Sequence, residues 1–192
     1  MEGKFYPSVT KILQATVPQE RQDALKKWRD SIGEKEAQEI RQKAMSRGDG
    51  YDKQVKDYYE LGRPIENKAL EYHLKQYKCH SLEKSVISEK HKYYGRYDIV
   101  FDVNGFLILN DFKGSSKPKK EEWLGDYVLQ ISAYVKALIE NGVDIKYGMI
   151  TVILENDVQK FVFSMQQIEY FFQKFLKRLE IYNNLNTDKN GL

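Results

Sequence analysis

Residues 93–117, YYGRYDIVFDVNGFLILNDFKGSSK, constrain the fold of this chain more than any other stretch. Two apolar runs of strand length flank Asn104-Gly105. That dipeptide favours a type I′ turn, which needs positive φ at both central residues and suits the twist of two antiparallel strands. A two-residue turn sets Val103 opposite Phe106, Phe101 opposite Ile108 and Asp98 opposite Asp111. Lys113 shares the face of Asp111, because side chains alternate along a strand. Directly opposed Cβ atoms lie about 4.5–5.5 Å apart. Two carboxylates that close repel by about 3 kcal/mol at an effective dielectric constant of about 20. Folding does not require such a pair, but a divalent metal ion does.

The plainer alternative is two surface acids that happen to be neighbours. The remaining residues of the hairpin argue against it. Tyr97, Ile99, Phe101 and Val103 oppose Phe112, Asn110, Ile108 and Phe106, a largely apolar face. Val100 opposite Leu109 is apolar on the acidic face too, so cover is expected on both sides of the sheet. The carboxylates are therefore expected at the end of a buried sheet.

At 192 residues the chain suits one domain with a helical extension. A net charge of +3 permits nucleic-acid binding without demanding it. Cys79 is the single cysteine, so neither an internal disulfide nor a four-cysteine Fe–S cluster is expected, and a reducing compartment is the simplest setting. No apolar run approaches the ~18 residues of a membrane span. The start, MEGKFYPSVT, reads as neither signal nor transit peptide. A cytoplasmic monomer without membrane association is the expectation.

The layout reads as follows. Ser8 caps a short helix through Val9, Ile12 and Leu13, which Pro18 ends. A charged helix runs from Gln19 to about Met45 and breaks at Gly48 and Gly50. Another helix spans roughly Tyr51 to Leu61, and one more starts at Pro64 and runs to about Lys78. A first strand at 85–89 precedes the hairpin. After the GSSKPKK loop, residues 121–140 form a helix with an apolar stripe of Leu124, Val128, Ile131, Val135 and Leu138. Strands at 146–154 and 159–163 follow, then a helix from 165 to about 182 whose Ile168, Phe171, Phe172, Phe175 and Leu179 pack the core. A polar tail ends the chain. Residues 1–80 thus read as a helical part and 81–192 as an α/β core.

An acid on one strand followed by Asp-x-Lys on the next resembles the PD-(D/E)XK nuclease superfamily. Gln130-Ile131-Ser132-Ala133-Tyr134 on the following helix is similar to the Gln-x-x-x-Tyr element of its RecB-type branch. Tyr6-Pro7-Ser8-Val9-Thr10, the GRYD ending at Asp98, and DFKGSSKPK resemble the mitochondrial genome maintenance exonuclease group with its phage and bacterial relatives. The resemblance runs from Tyr6 to about Tyr182. It implies a restriction-endonuclease-like core, a mixed central sheet flanked by helices, with the helical N-terminal part packed over the active site.

What the resemblance implies for the site agrees with the chemistry of the residues. Asp98 and Asp111, with the backbone carbonyl of Phe112, would hold one or two Mg²⁺ or Mn²⁺ ions through hard oxygen donors. Lys113 would hold the attacking water or offset transition-state charge. Gln130 and Tyr134, one helical row with Tyr127, would meet the surroundings of that water or a DNA phosphate. The RecB-type branch carries a histidine on an N-terminal helix, whereas this chain has Asp52 in the corresponding segment, RGDGYDKQV. A carboxylate can serve as a ligand there; a solvated helix residue is the alternative. His73, His80 and His91 all fall elsewhere and read as structural or exposed. Glu83 and Glu89 precede the hairpin and are secondary metal candidates.

Lys117, Lys119 and Lys120 follow the Asp-x-Lys strand and are candidate phosphate contacts. Arg47, with Lys26, Lys27, Arg29 and Trp28, is a candidate path for single-stranded DNA, where aromatic faces stack bases without sequence preference. Solvated helix faces are the blander reading of the same residues. The expected activity is a metal-dependent exonuclease acting on single-stranded DNA ends in replication, repair or recombination, with a helicase or polymerase as a conceivable partner. A structure-specific flap or branch endonuclease of the same fold and an inactive DNA-binding module are the alternatives.

Overall fold

The computed structural model describes residues 6–187. The first five residues of the start read above, and the last five of the polar tail, lie outside that range. The elements are helices α1 (Val9–Ala15), α2 (Gln19–Ile32), α3 (Glu34–Leu61) and α4 (Lys68–Leu74), then strands β1 (Lys78–Leu82), β2 (Ser85–Ser88), β3 (Tyr93–Arg96), β4 (Ile99–Val103) and β5 (Phe106–Gly114). Helix α5 (Asp126–Glu140), strands β6 (Ile145–Ile153) and β7 (Val158–Phe163) and helix α6 (Met165–Thr187) complete them.

The hairpin has the expected register. Val103 pairs with Phe106, Phe101 with Ile108 and Ile99 with Asn110. Asn104 and Gly105 take φ of 53° and 89°, the positive values a type I′ turn demands. The main sheet has the order β1-β4-β5-β6-β7. All its pairs are antiparallel except β5–β6, which α5 joins as a crossover. Strands β2 and β3 form a separate two-stranded sheet.

Helices cover both faces of the main sheet. Val100, Leu109, Ile150 and Val152 pack with Val9 and Ile12 of α1, Ile131 and Val135 of α5, and Phe172 and Phe175 of α6. Ile99, Phe101, Phe112, Met149 and Ile153 pack on the other face with Val55 of α3 and Leu70 and Leu74 of α4. Arg178 of α6 ties α1 into this frame: its Nε donates to Thr16 Oγ1 (2.6 Å), a second nitrogen donates to the Leu13 carbonyl, and a third meets Asp126 Oδ1 at 3.2 Å. The Leu13 carbonyl in the last turn of α1 thereby finds a donor that a helix end otherwise lacks.

Four local expectations need correction. The long helical stretch breaks at Gly33, whose φ of 87° favours glycine, and α3 runs unbroken through Gly48 and Gly50. Helix α4 starts after Asn67, whose side chain accepts from Leu70 N at 3.0 Å, and not at Pro64. Residues 78–82, where that helix is expected to end at about Lys78 and no strand is expected before 85, form edge strand β1 paired with β4. The helix expected over 121–140 begins only at Asp126, after a short 3-10 turn at Glu121–Trp123.

On the buried side of α4, His73 is 2% exposed and its Nε2 lies 3.3 Å from Thr151 Oγ1, which in turn donates to Asn110 Oδ1 at 2.6 Å. Burial, with Lys160 adding, pulls its pKa down to about 4. The unfolded chain holds this histidine near 6.5, so it binds the proton that the fold refuses. Stability is therefore full above pH 6.5 and falls as the pH drops toward 4, by about 2–3 kcal/mol from this group. Urea unfolding at pH 7 and pH 4.5 measures it. His73→Gln should flatten the acid limb by that amount, and an equal pH slope in both proteins would refute the assignment.

Candidate active site

Strand β5 carries Asp111 and Lys113 on the face toward α5, and the bend before β4 carries Asp98. Asp98 lies one residue outside the ladder, so it does not pair across it. Its Oδ2 instead accepts the Phe112 N–H at 2.7 Å, which brings its carboxylate to the backbone between Asp111 and Lys113. The Asp98 carbonyl accepts Glu83 N at 2.7 Å, anchoring the bend to the end of β1.

Asp111 is 2% exposed, and its Oδ1 makes no hydrogen bond among the described residues. Lys113 Nζ reaches Oδ2 at 2.5 Å as an ion pair and sits 5.0 Å from the centre of the Tyr127 ring. Burial pushes Asp98 above the usual carboxylate range, and the Asp111 charge adds to it, against Lys113 and the Phe112 N–H. Burial raises Asp111 as well, with Lys113 opposing. For Lys113 burial acts downward, but Asp111 and Asp98 outweigh it and hold the ammonium above its ordinary value.

Asp52 of α3 converges on the same place. Burial raises its pKa first, Lys113 lowers it, and Asp111, Glu83 and Asp49 raise it further. Asp52, Glu83 and Asp98 line a cavity of about 10 Å³ closed by Val55, Leu82 and Phe112. That is about the space of one water or small ion. Above it, α3 residues Arg41, Met45, Gly48 and Asp52 roof a cleft of about 380 Å³ whose floor is Phe112, Lys113 and Gly114, with Tyr127 at its side. Arg47 and Tyr51 press on Gly114: a Cβ there would meet both side chains at 3.3 Å.

On α5, Gln130 Nε2 meets the Tyr134 hydroxyl at 3.2 Å. Burial pushes the Tyr134 phenol up to about 12, with Gln130 opposing and the Asp111 charge contributing. The ring stands directly against Gly95 of β3.

Other expected residues lie further out. Glu83 lines the small cavity but is held by Arg96 (2.7 Å) and Lys56 (3.1 Å). Glu89, in the turn after β2, accepts the Tyr6 hydroxyl at 2.7 Å and pairs with Lys92. Lys117 and Lys120 are exposed on the loop after β5; Lys120 lies over the Trp123 ring, and the Lys119 backbone bonds Gln159. Trp28 lies on α2, away from the carboxylates, in a groove between α2 and α3. Arg41 and Gly95 escaped the sequence reading, as did the Lys56–Glu83–Arg96 link, because each acts through contacts between distant segments.

Among the described residues, no group of three or more His, Cys, Asp or Glu closes into a ready ligand cluster. The residues present nonetheless fit a divalent cation. Three carboxylates, Asp52, Asp98 and Asp111, face the single ammonium of Lys113, and Asp111 keeps a buried oxygen with no partner. Buried oxygens of that kind need a cation or a donor.

The mixed sheet flanked by helices is of the restriction-endonuclease-like kind, and it carries an acid, then Asp-x-Lys, then Gln-x-x-x-Tyr in the order that the resemblance to PD-(D/E)XK nucleases implies. No protein-family model matches it. Among curated proteins, mitochondrial genome maintenance exonuclease 1 of Xenopus tropicalis is 27% identical over 212 residues, covering 98% of this chain and 60% of that protein. The protein of the same name from Mus musculus is 27% identical over 208 residues, covering 95% of this chain and 60% of its own length. The chain thus spans 60% of the length of these relatives. The solved structure of SSO0001 superposes with a TM-score of 0.48 at 12% identity, over 92% of this chain and 77% of that one. No helix among the described residues is long and apolar enough to cross a membrane.

Proposed function

We propose that this chain is a metal-dependent exonuclease that hydrolyses phosphodiester bonds at single-stranded DNA ends, in replication, repair or recombination. The observation that carries the reading is the buried, unbonded Oδ1 of Asp111, whose other oxygen pairs with Lys113, a floor residue of the cleft roofed by α3. Asp98, Asp111, the Phe112 carbonyl and Asp52 would hold one or two Mg²⁺ or Mn²⁺ ions, hard cations that take oxygen donors. Such an ion supplies Lewis acidity to the scissile phosphate and acidifies water.

The chain's own residues do the rest. Asp111 and Asp98 keep Lys113 protonated, so its ammonium can orient the attacking water or offset charge on the phosphate oxygens. Tyr127 shields one side of that ammonium. Gln130 and Tyr134 fix the α5 wall behind it. The roof of α3 narrows the approach, which favours a threaded single strand over an intact duplex. Lys117, Lys119, Lys120 and Arg47 are suited to phosphates along that approach. Glu83 is a further ligand through water only if it leaves Lys56 and Arg96.

Linear and closed circular single-stranded DNA, each with Mg²⁺ and with EDTA, test the proposal. Linear strands should be degraded, circles spared, and both left intact in EDTA. Cutting of circles would make the chain an endonuclease. Binding without cleavage of either would leave a DNA-binding module.

A further inference from the structure

We infer that the groove between α1, α2 and the first half of α3 is a second nucleotide subsite, joined to the catalytic cleft through Arg41, so that one single strand occupies both. The inference rests on the nuclease reading above and extends it to a site remote from the carboxylates. The groove has a volume of about 410 Å³ and is lined by Trp28, Leu25, Arg29 and Arg41, among others. Arg41 also lines the cleft over Lys113. Its side chain is therefore the shared wall of the two spaces.

Three features make the groove a receiver for nucleic acid. Trp28 is 40% exposed, and its ring meets neither another ring nor a cation among the described residues, whereas Trp123 carries Lys120 over its face. The Arg29 and Arg41 side chains form no ion pair or hydrogen bond among the described residues, although they stand on helices rich in acids. Glu34, which also lines the groove, is engaged by Gln38 Nε2 at 3.1 Å. A free indole face beside free guanidiniums matches a base stacked over a phosphate-bearing backbone, without sequence preference. A helical peptide would use the apolar Leu25 and Trp28 but would have no need of continuity with the catalytic floor.

The surrounding packing supports this placement. Helix α2 buries no residue and the first half of α3 buries only Ala37, so this hairpin of helices adds little to the core. Gly48 lies on α3 in the lining of the catalytic cleft, beyond Arg41, and a Cβ built there would meet nothing within 4 Å. The helix wall of that cleft is bare at this position, where a strand leaving Arg41 would pass.

Trp28 reports on the subsite directly once Trp123→Phe leaves it as the only tryptophan. Oligothymidylate is titrated in EDTA, which prevents cleavage, comparing dinucleotides with strands of about a dozen nucleotides. The long strand should quench Trp28 and the dinucleotide should not. By anisotropy of a labelled long strand, Trp28→Ala and Arg41→Ala should each weaken binding about tenfold. Arg41→Ala should also reduce the salt slope by about one, and Arg41→Lys should restore it. Binding of the long strand without quenching of Trp28, or with wild-type affinity in both variants, overturns the subsite while leaving the nuclease reading intact. A wild type that binds no strand in EDTA overturns the subsite, and one that also cleaves none with Mg²⁺ overturns the nuclease reading itself. A partner protein that quenches Trp28 where the strand does not would assign the groove to a protein and refute the inference.

Discussion

On the proposed mechanism Asp111→Asn and Lys113→Ala should each reduce DNA hydrolysis by about 10³-fold or more, because each removes a group assigned to the reacting phosphate or its metal ion. Their stabilities should part company. From the sequence alone Asp111→Asn relieves repulsion from Asp98 and gains stability. In the folded chain Asp111 also pairs with Lys113 at 2.5 Å, so the lost attraction offsets the relieved repulsion. Asp98 remains as a counter-charge for the ammonium, and the net change should stay within about 1 kcal/mol. Lys113→Ala instead leaves Asp98, Asp111 and Asp52 with no cation among them. It should cost about 3 kcal/mol in metal-free protein, the order seen on breaking a buried pair, and Mg²⁺ should restore part of that loss. Urea unfolding with and without Mg²⁺, beside a cleavage assay, reads both effects. Wild-type cleavage by either variant rejects the mechanism, and Mg²⁺ that stabilises neither protein rejects the ligand set.

The parts of this site that were legible in the sequence are the parts that neighbouring residues enforce. Asn104-Gly105 fixes the turn, the turn fixes the register, and alternation then places Asp111 and Lys113 on one face. Asp98 was placed nearly right for a partly wrong reason: it is one residue past the ladder and reaches the Phe112 amide. Strand β1 was missed because Lys78-Cys79-His80-Ser81-Leu82 has no apolar alternation; pairing with β4 makes it a strand. Gly48 and Gly50 looked like breaks, since each costs about 1 kcal/mol in a helix. Helix α3 bears that cost because Val55, Tyr58 and Tyr59 anchor its second half to the sheet. Gly33 breaks the helix instead because its backbone takes positive φ. The approach of Asp52 to Lys113, and of Tyr134 to Gly95, joins segments far apart in the chain, and no local pattern reports such meetings.

The meeting of Gly95 and Tyr134 yields the other large expected effect. A Cβ on residue 95 would lie 2.1 Å from Tyr134 Cε1, 2.8 Å from Cδ1 and 3.0 Å from Cζ. Tyr134 is 3% exposed, so its ring cannot swing into solvent to make room. Strand β3 cannot retreat freely either, because Gly95 is laddered to Val86 and Tyr93 donates its hydroxyl to the Ala133 carbonyl at 2.9 Å. Gly95→Ala should therefore destabilise the protein by about 3 kcal/mol, the upper part of the range for an overpacked core. Displacing the ring also pulls the phenol from Gln130 and from the charges of Asp111 and Lys113, so cleavage should fall further than stability explains. A second substitution separates the two effects. Tyr134→Leu in the Gly95→Ala background removes the ring that clashes, and should recover most of the lost stability while leaving activity low. The pair is thus strongly non-additive in stability, as contacting residues are. If Gly95→Ala unfolds like the wild type, or if Tyr134→Leu worsens it additively, the bare Cα of Gly95 is not what seats the tyrosine.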